Sequence, residues 1–133
     1  MIVVDASVLA NAIGDDGAAG RIARDLLRGH VDVAAPDLVD VETTAVLRRG
    51  WLAGQVADER FERAVDDLAA MPLTRYPTLR LMRRAYAMRA NVTPYDACYV
   101  ALAEALDCAL HTADRRIANA TGPTCPIRVI EGA

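Results

Sequence analysis

Residues 93–116 read TPYDACYVALAEALDCALHTADRR. Thr93 followed by Pro94 is the signature of a helix start, with a short polar cap and proline at the first helical position. The spacing predicts a helix over 94–106 and a strand around 108–112. Asp96 then falls in the first turn of the helix, and Asp114 falls just past the end of the strand. The rest of the chain is read for what joins these two carboxylates.

Working outward, residues 1–4 form an unbroken β-branched run, suited to a strand buried on both faces, and the run ends at Asp5. A helix is expected from Ser7 to Ile13, and Gly14-Asp15-Asp16-Gly17 is a turn. Residues 18–29 read as an amphipathic helix with Ile22, Leu26 and Leu27 inward, Arg21, Arg24 and Arg28 outward, and Gly29 closing it. Val31 to Ala35 is a second strand. Pro36 and Asp37 open a helix running to Arg48-Arg49-Gly50. Residues 58–70 form another, with Phe61, Val65 and Leu68 as its apolar stripe. A strand at 73–76, a helix at 78–89, a short helix from Arg115 and a strand at 126–130 complete the chain. Strands alternating with helices imply an α/β fold, a three-layer α/β/α sandwich around a mainly parallel sheet. Such sheets bind ligands at the carboxyl ends of their strands, which is where Asp5 and Asp114 sit.

The bulk numbers are consistent with one domain over residues 1–133. At 53% hydrophobic residues the chain can bury a core, and with 5% aromatics that core is largely aliphatic. A net charge of -3 gives no global attraction to nucleic acid, so polyanion binding must be local. All 15 basic residues are arginine, most of them expected on solvated faces. Cys98, Cys108 and Cys125 lack metal-ligand spacing and are expected to be reduced and packed in a cytoplasmic protein. The apolar N-terminus has no basic leader and carries an acid at position 5, so neither a secretion signal nor a membrane segment is expected.

Four acids invite chemistry. Asp5, Asp96 and Asp114 each have an ordinary explanation as helix caps. Glu42 does not. On a helix its neighbours three and four residues away are Leu38, Val39, Ala45 and Val46, all apolar, whereas Asp37 and Asp40 are expected to face solvent. A carboxylate in an apolar stripe costs several kcal/mol unless paired. Either the stripe borders the surface there, an arginine reaches over, or a cation pairs with it; the cation is the favoured reading. Two like charges about 4 Å apart repel by about 4 kcal/mol at an effective dielectric near 20. A cluster of carboxylates therefore holds protons or metal. Oxygen-only donors select a hard cation, Mg²⁺ or Mn²⁺, and point to metal-assisted hydrolysis of a phosphodiester. His111 neighbours Thr112 on a strand and is expected to point to the opposite face. Arg115 and Arg116 touch substrate phosphates, pair with Asp114 or are simply solvated helix residues; these readings stay open.

Four short motifs occur in order: Val4-Asp5-Ala6-Ser7, Leu38-Val39-Asp40-Val41-Glu42, Tyr95-Asp96-Ala97 followed by Tyr99-Val100-Ala101-Leu102-Ala103-Glu104, and Thr112-Ala113-Asp114-Arg115. Together they resemble the PIN-domain ribonucleases, and most closely the VapC toxins of bacterial toxin–antitoxin pairs. The resemblance covers essentially the whole chain. It implies a PIN-like fold and a Mg²⁺- or Mn²⁺-dependent endoribonuclease with Asp5, Glu42, Asp96 and Asp114 as its acidic quartet. Asp5 and Asp96 would ligate metal directly. Glu42 and Asp114 would act through water or on a second ion, and Asn11 and Thr112 would be supporting polar groups. It also implies a homodimer, an RNA substrate and a small antitoxin that covers the acidic crevice. A catalytically silent module that binds RNA or protein is the competing expectation. A phosphatase using Asp5 as nucleophile is disfavoured, because the chain has no lysine to steady a phosphoryl group.

Overall fold

The computed structural model describes residues 1–131. Its centre is a five-stranded sheet in the order β3-β2-β1-β4-β5, with every pairing parallel. The strands are β1 (Ile2–Val4), β2 (Val33–Pro36), β3 (Thr74–Tyr76), β4 (Leu110–Thr112) and β5 (Ile127–Val129). β1, β2 and β4 are buried throughout; β1 and β2 are apolar along their whole length, whereas β4 buries His111 and Thr112 beside Leu110.

Parallel strands need crossovers, and helices supply them. Between β1 and β2 lie α1 (Ala6–Gly14) and α2 (Ala18–Arg28); between β2 and β3 lie α3 (Leu38–Leu52) and α4 (Asp58–Ala70). A 3-10 turn (Thr78–Leu81), α5 (Met82–Ala87) and α6 (Pro94–Ala105) lead back across β1 to β4, and α7 (Arg115–Ala118) precedes β5. The chain thus winds outward from β1 through β2 to β3, then crosses to the other side of β1. The strand order reverses between β1 and β4, and a crevice opens at such a point along the strands' carboxyl edge. Right-handed crossovers in opposite directions put helices on both faces. α6, buried from Ala97 to Ala103, packs on β1, β2 and β4.

Most expected elements appear within two or three residues of their predicted bounds. The exceptions have local causes. The helix expected at 78–89 begins as a 3-10 turn, because Pro77 leaves the chain extended and Asp37 accepts from both the N–H and the hydroxyl of Thr78. Asp37 is exposed as expected, but Asp40 is half-buried and held by the Arg75 Nε. Val65 is 39% exposed, and Ala64 takes the inward position of α4. Arg24 is not on a solvated face: its Nη1 donates to the carbonyls of Ala12 and Asp15, capping the end of α1.

At the far end of α6 from Asp96, Glu104 ties the helix to two other segments. It accepts from Arg84 Nε at 2.7 Å and Nη2 at 3.0 Å, and from the backbone and hydroxyl of Thr124, both at 2.7 Å. Arg84 also donates to the carbonyl of Gly122, which sits at a φ of +119° that glycine tolerates. The three cysteines are free.

Candidate active site

Asp5 follows β1 directly. The β1–β4 register pairs Val4 with His111, so the next position sets Asp5 opposite Thr112. The backbone of Asp5 is extended and its Oδ1 accepts from the N–H groups of Ser7 at 3.1 Å and Val8 at 3.3 Å, capping α1. Ser7 Oγ also donates to Oδ1 at 2.5 Å, and Thr112 Oγ1 donates to Oδ2 at 2.5 Å. Capping and site roles therefore divide between two oxygens of one carboxylate. The side chain is buried, and desolvation pushes its carboxyl above the ordinary aspartate range; the hydrogen bonds oppose this and the charge of Asp96 adds to it.

Thr112 and Ser7 form the floor of the crevice. Thr112 Oγ1 accepts from the N–H of Asp114 at 2.9 Å, and Ser7 Oγ accepts from the N–H of Ala113 at 2.9 Å. The two hydroxyls lie 3.5 Å apart. The loop leaving β4 is thereby fixed to Asp5, and Asp114 is carried to its edge. Asp114 caps α7 through the N–H of Arg116 at 2.9 Å, and the Arg116 guanidinium grips both carboxylate oxygens. That grip holds its carboxyl below the ordinary range. The open choice for Arg116 is thus decided for the pairing, while Arg115 pairs with Glu131.

Asp96 enters from α6, where Thr93 Oγ1 caps its N–H at 3.3 Å. It is half-buried, and its carboxyl is pushed up first by desolvation and then by the charge of Asp114. It lines a cavity of about 350 Å³ together with Thr93 and Arg116. Glu42 stands on α3. Its protein partner is not an arginine: the buried Tyr99 hydroxyl donates to Oε1 at 2.5 Å. Burial, followed by the hydrogen bond and charge of Glu42, raises the Tyr99 phenol far above its ordinary value, so it remains a donor.

The charge of Asp96 reaches Asp5, the charge of Asp114 reaches Asp96, and the Tyr99 phenol feels both Glu42 and Asp5. Asn11, one turn beyond Ser7, lines a separate cavity with Val46 and Gln55. His111 points away from Thr112, as strand alternation requires. It is buried beside His30, ring centroids 5.9 Å apart, and its proton affinity is lowered mainly by burial. Ser7 competes with Asp5 in the sequence for the cap of α1, and the structure gives the cap to Asp5; Tyr99 carries no polar role in the sequence, where its place in the third motif is the available signal.

Among the described residues no group of three or more His, Cys, Asp or Glu side chains converges tightly enough to hold one ion. Magnesium takes only one or two protein carboxylates and completes its shell with water and substrate phosphate. Asp5 and Asp96 fit that demand: both supply hard oxygen donors, and neither carboxylate is paired with an arginine.

The PIN-domain family profile matches residues 2–123. Ribonuclease VapC9 of Mycobacterium tuberculosis is 44% identical over 131 residues, 98% of each chain. Ribonuclease VapC1 of the same organism is 40% identical over 129 residues, 96% of each chain. Among solved structures, the sarcin-ricin loop cleaving toxin VapC20 of M. tuberculosis superposes with a TM-score of 0.67 at 16% identity, over 92% of this chain and 98% of that one. VapBC2 of Rickettsia felis, bound to a DNA fragment from its promoter, gives 0.67 at 12% identity, over 98% and 100%. The chain belongs to the PIN-domain family, in its VapC ribonuclease group.

Proposed function

We propose that this protein is a Mg²⁺- or Mn²⁺-dependent endoribonuclease that acts as the toxin of a toxin–antitoxin pair. The observation that carries the metal-dependent site is Asp5, a buried carboxylate at the β1–β4 switch point with a second acid, Asp96, close enough to raise its proton affinity. The near-full-length relatives named as ribonucleases favour turnover over a silent binding module.

Asp5 and Asp96 would hold the cation, with Glu42 and Asp114 acting through water or on a second ion. When bound, the ion supplies an activated water and neutralises charge at the scissile phosphate. The protein's own groups do the positioning. Thr112 and Ser7 donate to Asp5 and fix its direction. Tyr99 holds Oε1 of Glu42, leaving Oε2 to orient a water or accept its proton. The partner reading is a small antitoxin protein that covers the acidic crevice. A homodimer is consistent with the exposed apolar side chains of Val41, Leu79 and Tyr95. No described helix is long and apolar enough to cross a membrane, and the proposed compartment is the cytoplasm.

The test is cleavage of a broad RNA panel by the pure protein with Mg²⁺ or Mn²⁺, beside Asp5→Ala and Asp96→Asn. Wild-type cleavage should fall at least about a hundredfold in either variant, the scale of losing an electrostatic stabiliser of the transition state. Equal cleavage at matched purity would sink the assignment of those residues. No cleavage by any form would favour the silent module.

A further inference from the structure

Arg116 has no part in the chemistry above, yet it is bound to one of the four acids. Its Nε reaches Oδ1 and Oδ2 of Asp114 at 3.1 and 3.3 Å, and its Nη2 reaches Oδ2 at 2.8 Å. The partners are two residues apart on one turn, so rotation of one side chain makes or breaks the pair. The Arg116 side chain is 91% exposed and has room to swing away. Arg116 also lines the cavity that holds Asp96. Arg116 therefore grips one acid and borders the cavity of another. The neighbouring Arg115 does not share this place, being paired with Glu131.

We propose that Arg116 is an internal counter-cation for Asp114 that competes with a divalent ion for that carboxylate, and is thus a positioning residue that sets how readily the site loads metal. The inference rests on the metal-dependent reading above. A guanidinium fork and a metal ion, direct or through its waters, use the same carboxylate lone pairs, so Asp114 serves one fully only when released by the other. Whatever the ion pair contributes is subtracted from the affinity for metal. Because the pair is exposed, the subtraction is small and is screened by salt.

The experiment is Mn²⁺ binding to the full chain, read from the electron paramagnetic resonance signal of the free ion. Wild type, Arg116→Gln, Asp114→Asn and the double variant are compared at low salt and in about 0.5 M KCl. Arg116→Gln should bind Mn²⁺ about two- to fivefold tighter at low salt, and the gap should close in KCl. On the Asp114→Asn background, the arginine substitution should lose most of its effect. Unchanged or weaker binding by Arg116→Gln overturns the proposal while leaving the metal site intact. Equal tightening on the Asp114→Asn background also overturns it, because the effect would then be general charge. Absence of Mn²⁺ binding by every form overturns both this inference and the reading beneath it.

Discussion

Tyr99 on α6 donates its phenolic hydrogen to Glu42 Oε1 on α3 at 2.5 Å, joining positions 57 residues apart. Tyr99 is among the largest fully buried side chains, so this hydroxyl has no water to fall back on. The bond solves two problems together. It satisfies a buried phenol, and it gives a carboxylate in an apolar stripe a fixed partner that leaves its negative charge uncancelled.

Tyr99→Phe should therefore keep the packing and lose the anchor. The expected cost is about 1–3 kcal/mol, the range for a hydrogen bond to a charged acceptor, read from urea unfolding. RNA cleavage should fall about tenfold, because a mispositioned catalytic group loses rate without loss of binding. Unaltered cleavage would show that Glu42 needs no anchoring.

Thr112 is the hinge between Asp5 and Asp114, donating to one and accepting from the backbone of the other. Thr112→Val keeps the shape and strands both partners. A loss of about 2 kcal/mol is expected, with Thr112→Ser retaining most of it. Comparable melting of the valine variant and wild type would argue that water replaces the hydroxyl.

Glu104 offers a pH test away from the crevice. The Arg84 guanidinium, aided by Thr124, depresses its carboxyl from 4.5 to about 2. A depressed acid contributes stability that is present above its unfolded value and lost as pH falls toward the folded one. Glu104→Gln should thus be less stable than wild type at pH 7, and the difference should shrink between about pH 4.5 and 2. A gap independent of pH would mean that packing, not charge, is what the substitution removes.

How much of this was legible follows from the range of each interaction. Asp5, Asp96 and Asp114 were readable because caps and strand ends are local signals, and the sheet edge gathers such ends. Glu42 stood out because its helical neighbours are apolar within four residues. Tyr99 as its partner was not readable, since nothing local says that α6 brings its hydroxyl to Glu42 on α3. The same holds for Arg24, which turns back onto carbonyls 9 and 12 residues away, and for Asp40, which meets an arginine on β3 35 residues on. Long arginine side chains reach partners that the backbone pattern does not specify. Val65 misled because helix periodicity fixes a stripe only to about one position, and small Ala64 packs against the core more closely.

The last prediction couples metal to protons. Asp5 and Asp96 both have carboxyl groups raised above 3.8, each chiefly by desolvation. For a raised acid the sign runs opposite to Glu104: the contribution is fully present below the unfolded value and is lost as pH rises through the folded one. At neutral pH the two ionised groups therefore strain the apo fold, and Asp96→Asn should melt higher than wild type at pH 7, with the advantage fading toward pH 3.8. A divalent ion relieves the same strain. Millimolar Mn²⁺ should raise the melting temperature of wild type at pH 7, by an amount growing as the logarithm of its concentration, because it binds only the folded state. As acidification protonates Asp5 and Asp96, the Mn²⁺ effect should fade with them, and Asp96→Asn should reduce it wherever it is seen. A Mn²⁺ shift equal in wild type and Asp96→Asn would place the ion away from the β1–β4 crevice.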